Sequence, residues 1–170
     1  MEKKILFLFA FLFLISTHHS YGQNVEKAVQ SKWIDLNSIL KKRADNLLEF
    51  SNELIKLDTS KEVLFIESKF IASELSDYLS TLQQIDAKTI KIVSIKNNNL
   101  TKVLEKIMRL MLDGKTDMKI LPMYYMLMPQ ISGIEKRLEL ATENYNKTCK
   151  KNKRKNLLFI NPLPDKKSNL

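Results

Sequence analysis

An apolar seam in the first third of the chain constrains its fold more than any other feature. Apolar residues recur there every three or four positions, at Val29, Trp33, Leu36, Leu40, Ala44, Leu47, Phe50, Leu54 and Leu57. This spacing places them all on one face of a helix, and such a face must be buried against other helices. The seam predicts a first helix from about Val25 to Leu57, about 50 Å long at 1.5 Å per residue.

Turn-forming residues are scarce. The 170 residues include only 3 Gly and 4 Pro, too few for the many turns of a β-sandwich or a β-barrel. The length is that of one domain. We therefore predict an all-α fold, an antiparallel bundle of about four long helices over residues 23–160, followed by a polar tail over residues 161–170.

The second helix begins where a turn signal meets a helical period. Thr59 and Glu62 have the spacing of a capping box, in which each side chain satisfies a backbone N–H group of the other residue. The short connection makes this helix an antiparallel neighbour of the first. Its predicted apolar positions are Val63, Ile66, Phe70, Ile71, Leu75, Tyr78, Leu82 and Ile85.

The third segment is ambiguous by local propensity. Asp86 is a candidate cap for a turn leading into 89–96, a stretch rich in Ile and Val that suits a strand or a helix. Helix is favoured because nothing else in the chain offers a strand partner. We expect Asn97, Asn98 and Asn99 to break it, with a helical period resuming from Leu100 and ending at a Gly114 C-cap.

The stretch 115–128 is rich in methionine and flanked by proline. Six of the 7 methionines lie between Met108 and Met128, and Pro122 and Pro129 are expected to interrupt any helix through this region. The methionines suit an adaptable binding surface or filling of the bundle core, and we favour the core.

The last helix is predicted from about Gln130 to Asn156. Its seam is Ile131, Ile134, Leu138, Ala141, Tyr145, Cys149 and Asn152. We expect the apolar residues that follow, 157–164, to fold back onto the bundle.

The N-terminus has the features of a signal peptide. Charged residues at 2–4 precede an apolar run from Ile5 to Ile15, which is shorter than the roughly 20 residues that cross a bilayer. Small residues at Ser20 and Gly22 predict cleavage after Gly22 and export to the periplasm or cell envelope. The alternative is an uncleaved membrane anchor.

Cleavage would remove the residues that most catalytic sites require. His18 and His19 would leave with the signal, which excludes Ser-His-Asp catalysis, Cys-His catalysis and His-ligated zinc. The single Cys149 lies on the seam of the last helix, where we expect a buried, unreactive thiol. We predict no catalytic residue, no metal and no cofactor. A hydrolase using Glu135 and Glu139 is the disfavoured alternative.

Positive charge is concentrated near the C-terminus. The chain has a net charge of +9, and the densest cluster is Lys147, Lys150, Lys151, Lys153, Arg154 and Lys155. For an exported protein these residues predict contact with anionic lipid or envelope polysaccharide rather than nucleic acid. The alternative is a solvated helix end without a ligand.

Two stretches, Trp33 to Asp45, which contains Arg43, and 134–146, have residue patterns found in the first and last helices of a known family. In these patterns the chain resembles the LemA family of bacterial envelope proteins. Phe159 also stands at the family's spacing from Tyr145. Lys42, Leu121 and Ile160 depart from the pattern, as expected of a divergent member.

The resemblance implies a long-helix bundle at the membrane or in the periplasm, for a family whose biochemical role is not established. The shared charged residues Arg43, Asp45, Glu135 and Arg137 suit salt bridges between the first and last helices, with Tyr145 and Asn146 hydrogen-bonding at the same level.

These observations predict a non-enzymatic interaction or scaffold protein of the cell envelope. The alternative is a protein-binding module that presents its Met-rich region to an envelope partner such as a protease. The sequence predicts no oligomeric state.

Overall fold

The protein is all-α, as predicted. The computed structural model describes the backbone of residues 2–57, 61–82, 85–112 and 121–161, and the side chains from residue 26 onward within those ranges except those of Leu112, Leu121 and Tyr124. The described chain forms four α-helices, α1 (Glu2–Leu57), α2 (Glu62–Thr81), α3 (Ala87–Leu112) and α4 (Leu121–Lys151), and a short 3₁₀ helix (Lys155–Leu157).

Helix α1 is the centre of the bundle. It packs against α2 on one side and α4 on the other, and α3 packs mainly on α2. The α1–α2 pairing brings Asp45 to Ser76 and Ser51 to Ser68, and the α1–α4 pairing brings Trp33 to Tyr145 and Arg43 to Glu135. In both pairings a later residue of α1 meets an earlier residue of its partner, so both neighbours run antiparallel to α1.

The predicted α1 seam is the core of the bundle. From Val29 to Leu54 each of its residues is between 0% and 4% exposed, and only Leu57, at the end of the helix, reaches 36%. The seam is buried against other helices and not against a β-sheet, and the described residues contain no β-strand.

Helix α1 extends upstream of its predicted start. It continues without interruption to Glu2 instead of beginning near Val25. Within the described part of the chain, no helix is both long enough and apolar enough to cross a membrane. Signal-peptide cleavage after Gly22 remains a prediction.

The buried face of α2 agrees with the predicted one in part: Leu75 is buried, and Ile71, Tyr78, Leu82 and Ile85 pack against the core, but three predicted positions are exposed. Val63, Ile66 and Phe70 are 85%, 49% and 68% exposed, and the buried positions are Phe65, Ser68, Ala72, Leu75, Ser76 and Leu79. Ser68 is buried because its hydroxyl hydrogen-bonds that of Ser51 on α1. Because Ser68 faces α1, the apolar side chains of Val63, Ile66 and Phe70 lie on the exposed side of α2.

The two predicted caps have different outcomes. Asp86 caps α3 as predicted: the Thr89 N–H donates to Asp86 Oδ1 at 2.7 Å, and the Asp86 N–H donates to Thr89 Oγ1 at 2.9 Å. The hydrogen bonds that the Thr89 N–H and the Thr89 hydroxyl donate to Asp86 Oδ1 lower the pKa of Asp86. The box at Thr59 and Glu62 lies partly outside the described residues, where α2 begins at Glu62 after Lys61, whose side chain makes no capping bond.

Two predicted helix breaks are wrong. Helix α3 continues through the asparagines at 97–99, and α4, which begins at Leu121, continues through Pro129. Pro122 occupies the first turn, where its missing N–H has no helical acceptor to lose. Pro129 removes one N–H from the helical ladder, and the helix continues past it. The predicted cap at Gly114 lies outside the described residues.

Helix α4 ends earlier than predicted, at Lys151 instead of Asn156. The Arg154 N–H donates to Cys149 O at 2.8 Å, and the Lys153 N–H donates to Lys150 O at 3.1 Å. This pair of bonds is a Schellman motif, which requires a left-handed residue after the helix. Lys153 occupies that position with φ of 56°.

Residues 152–161, which we call the return segment, fold back onto the bundle as predicted. Phe159 is 2% exposed, and Leu157 and Leu158 pack against the core. Ile160 is 72% exposed, and the predicted contacts of 162–164 lie outside the described residues.

Candidate functional site

A buried polar network joins three helices at Arg43. The side chain is 4% exposed, and its Nε atom donates to Glu135 on α4 at 2.5 Å. On α3, Nη1 donates to Asn97 Oδ1 at 2.8 Å and Nη2 to Thr101 Oγ1 at 3.1 Å. All three guanidinium nitrogens are therefore paired, which a buried charge requires. The predicted Arg43–Glu135 bridge between the first and last helices is confirmed.

Asn97 explains why the run of asparagines does not break α3. Its side chain is fully buried, accepts from Arg43 and donates to Asn161 Oδ1 at 3.0 Å. Asparagine is only about 0.7 kcal/mol less favourable than alanine within a helix, so two buried hydrogen bonds outweigh that preference.

The other two charged residues that were predicted to bridge the first and last helices, Asp45 and Arg137, have different partners. Asp45 accepts from Lys41 at 3.2 Å and from Ser76 on α2 at 2.5 Å, and Arg137 donates to Gly133 O on its own helix at 3.1 Å. Residues two apart on a helix lie about 200° apart around its axis. When Arg43 and Glu135 face each other, Asp45 and Arg137 cannot, so their predicted bridges are wrong.

Tyr145 contributes ring packing instead of the predicted hydrogen bond. Its ring lies 5.7 Å from that of Trp33, at 59°, and both side chains are buried. The contact lies about 15 Å along the bundle from the Arg43 network. The hydroxyl has no hydrogen-bond partner among the described residues, and burial raises the pKa of Tyr145 far above its usual value.

Asn146 anchors the return segment. Its Nδ2 atom donates to Phe159 O at 2.8 Å, and its Oδ1 atom accepts from the Phe159 N–H at 2.9 Å. Both backbone groups of Phe159 are therefore satisfied by one amide, which fixes the aromatic ring in the core. The prediction that Asn146 would bond at the level of Arg43 is wrong, because Asn146 lies about 16 Å along α4 from Glu135, the partner of Arg43.

Cys149 is a buried thiol, as predicted. Burial raises the pKa of Cys149, and its Sγ atom lies 4.0 Å from Leu157 O of the return segment. A thiol that is buried and protonated is a poor nucleophile. No group of three or more His, Cys, Asp or Glu in the described chain is arranged to hold a metal ion.

The predicted basic cluster is fully exposed. Lys147, Lys150, Lys151, Lys153, Arg154 and Lys155 are all accessible to solvent, and none of them takes part in the ion pairs between described residues. Lys150 and Lys151 lie in the last turn of α4, where positive charge complements the helix dipole, and Lys153, Arg154 and Lys155 follow the helix.

Two lysines of α3 extend this surface. Lys91 is exposed and lines a groove together with Asn156 of the return segment, and Lys88 is exposed one turn earlier. We call these eight residues the basic end. Sequence reasoning missed Lys88 and Lys91 because only the folded chain brings the start of α3 beside the end of α4.

Two grooves open at the basic end. The first, of about 470 Å³, lies between Arg154 and the two carboxylates Glu26 and Asp86. The second, of about 460 Å³, lies between α3 and the return segment and has mostly apolar walls. Ala87 and Asn156 line both, so the grooves are adjacent.

The opposite end of the bundle exposes apolar side chains. Met111 is buried and Met108 and Met123 pack against the core, which fits the predicted core role. Tyr125 and Met126, however, are 70% and 61% exposed. The Met-rich region therefore divides between core and surface.

No protein-family model, curated protein or solved structure matches this chain. The geometry of the molecule itself is therefore the basis for a functional proposal.

Proposed function

We propose that the protein is a non-enzymatic interaction or scaffold protein of the cell envelope, and that it contacts anionic surfaces through its basic end. One observation carries this proposal: six cationic side chains are exposed together at one end of the bundle without a carboxylate partner among the described residues. Unpaired surface cations create a field that attracts anions.

The conformation of Lys153 supports the proposal. A left-handed conformation costs an L-residue other than glycine about 1–2 kcal/mol, and glycine is the usual residue at this position. Lys153 adopts it with φ of 56°. A lysine that opposes folding in this way is best explained by a role for its charge.

The resemblance to the LemA family and the predicted export are consistent with this role. Both predict a location at an envelope surface, where anionic lipid head groups are abundant. Each cation near an anionic membrane contributes about 1 kcal/mol, so six give a Kd on the order of 10–100 µM. Binding of this kind is reversible and depends strongly on salt.

Vesicle sedimentation tests the proposal. The chain from Gln23 onward contains every core residue of the described structure, and it removes the apolar run as a competing membrane contact. We expect it to bind vesicles containing phosphatidylglycerol, not vesicles of phosphatidylcholine alone, and to dissociate as salt increases. Replacing Lys150, Lys151, Lys153, Arg154 and Lys155 by Gln should abolish binding.

A matched variant tests whether binding depends on the position of the cations or only on the total charge of the protein. It replaces five exposed cations outside the basic end by Gln, namely Lys42, Lys69, Lys102, Arg109 and Lys136. This variant should still bind. Equal loss in both variants would show a nonspecific effect of net charge, and binding to anionic polysaccharide but not to vesicles would identify the other class of envelope partner.

The exposed side chains of Tyr125 and Met126 favour a second candidate, a protein-binding module. Under this candidate, Tyr125→Ser with Met126→Ser should abolish capture of a partner from membrane extracts, and the Gln variant of the basic end should not. The reverse result would favour the basic end.

A further inference from the structure

The second groove at the basic end has apolar walls that belong to different parts of the chain. Ile90 and Ile95 of α3 form one wall, and Leu158 and Ile160 of the return segment form the other. Ile95 and Ile160 are 52% and 72% exposed, so the two walls present apolar surface to solvent on either side of a channel of about 460 Å³. This volume is within the range of small-ligand sites.

The rim of this groove is polar and cationic. Lys91, Ser94, Asn98 and Asn156 line it together with Ala87, and no described carboxylate contributes to it. The adjacent groove contains Glu26 and Asp86 together with Arg154. The two neighbouring grooves therefore differ in charge, and only the apolar one combines a cation with a surface free of negative charge.

A ligand that fits this arrangement must have an apolar segment attached to an anionic group. We propose that the groove binds an acyl chain of an anionic membrane lipid while Lys91 and the neighbouring cations of the basic end bind its head group. This inference rests on the proposed function and deepens it. A polysaccharide would use the cations but gain nothing from the isoleucine walls, whereas each methylene buried in the groove strengthens lipid binding about fourfold.

Titration with short-chain soluble lipids tests the groove separately from the basic end. The chain from Gln23 onward, labelled at Ile and Leu methyl groups, is titrated below micelle formation with dihexanoyl phosphatidylglycerol. Two compounds serve as controls. Dihexanoyl phosphatidylcholine has the same acyl chains but no net charge, and glycerol 3-phosphate has a phosphate group but no acyl chains. We expect only phosphatidylglycerol to shift the methyl signals of Ile95, Leu158 and Ile160 at low concentration.

Substitutions at exposed positions test the assignment without disturbing the core. Ile95→Ser and Ile160→Ser should each weaken phosphatidylglycerol binding about fourfold or more, since each removes apolar contact with the chain. The control is Phe70→Ser on α2, which removes a side chain of similar exposure, 68%, away from the groove and should leave the affinity unchanged.

The outcomes distinguish this inference from the proposed function. If both serine variants bind short-chain phosphatidylglycerol as tightly as the unmodified chain, or if the shifts map outside the groove, the acyl-chain site is wrong even where vesicles still bind. If vesicle binding is absent but the groove shifts occur, the site stands and the surface-binding role is wrong. If Leu163→Asn shifts the same methyl signals without lipid and phosphatidylglycerol then shifts them no further, the chain's own 162–164 segment is the occupant and the inference is overturned.

Discussion

Arg43 and the basic end carry the same kind of charge in opposite environments. Arg43 is buried between three helices, and each of its nitrogens has a partner. The six cations from Lys147 to Lys155 are exposed, and no described carboxylate pairs with them. The contrast shows that a cation's partners, rather than its charge, decide whether it holds the fold together or remains available to a ligand.

The largest effect is expected from removing the buried cation. Arg43→Met should lower the free energy of unfolding by about 3–5 kcal/mol, because it leaves Glu135 and two buried polar groups without their partner. Urea denaturation measures the change. Lys147→Met, which removes an exposed cation of the basic end, should change it by less than about 0.5 kcal/mol. Similar losses in the two variants would erase the distinction between the two environments.

A smaller effect is expected from releasing the return segment beneath the basic end. Asn146→Ala removes both hydrogen bonds to Phe159 and should cost about 1–3 kcal/mol. Amide hydrogen exchange at Phe159 should accelerate strongly, while exchange in the middle of α1 should follow only the global change. Asn146→Asp keeps one acceptor and should have an intermediate effect. Unchanged protection of Phe159 in the alanine variant would show that apolar packing alone holds the segment.

The smallest effect has the opposite sign. Lys153→Gly should raise the free energy of unfolding by about 0.5–1 kcal/mol, because the relief of left-handed strain exceeds the greater chain entropy of glycine. The same change should weaken vesicle binding. Lys147→Gln, a helical position with the same loss of charge, should weaken binding without stabilising the fold. A stabilised glycine variant with undiminished binding would remove the functional explanation for Lys153.

The apolar seams could be predicted from sequence because each lies within one continuous helix. Val29 to Leu54 and Ile134 to Cys149 follow the helical period, and the structure buries these seams as predicted, with Ala141 partly exposed. Asp86 was also predictable, since a capping box involves only residues three apart. The Arg43–Glu135 bridge was anticipated from the family resemblance, although its contacts with α3 were not.

The remaining features depend on contacts that no local pattern encodes. The asparagines at 97–99 predict a helix break on local preference, and only the contact between Arg43 and Asn97 shows why the helix continues. Val63, Ile66 and Phe70 read as a buried face until Ser68 is paired with Ser51 of α1. The hydrogen bonds between Asn146 and Phe159 join a helix to an irregular segment, and no local sequence pattern at either residue indicates the other as its partner.

The sequence by itself therefore determined the helical class, the seams of α1 and α4 and the clustering of cations near the C-terminus, because periodicity and charge density are properties of neighbouring residues. Tertiary structure alone decided which charges are buried, which face of α2 is exposed, and that Lys88 and Lys91 join the basic end beside an apolar groove. The physical reason is that burial and pairing depend on what lies opposite a side chain, and only the packing of helices far apart in sequence decides that.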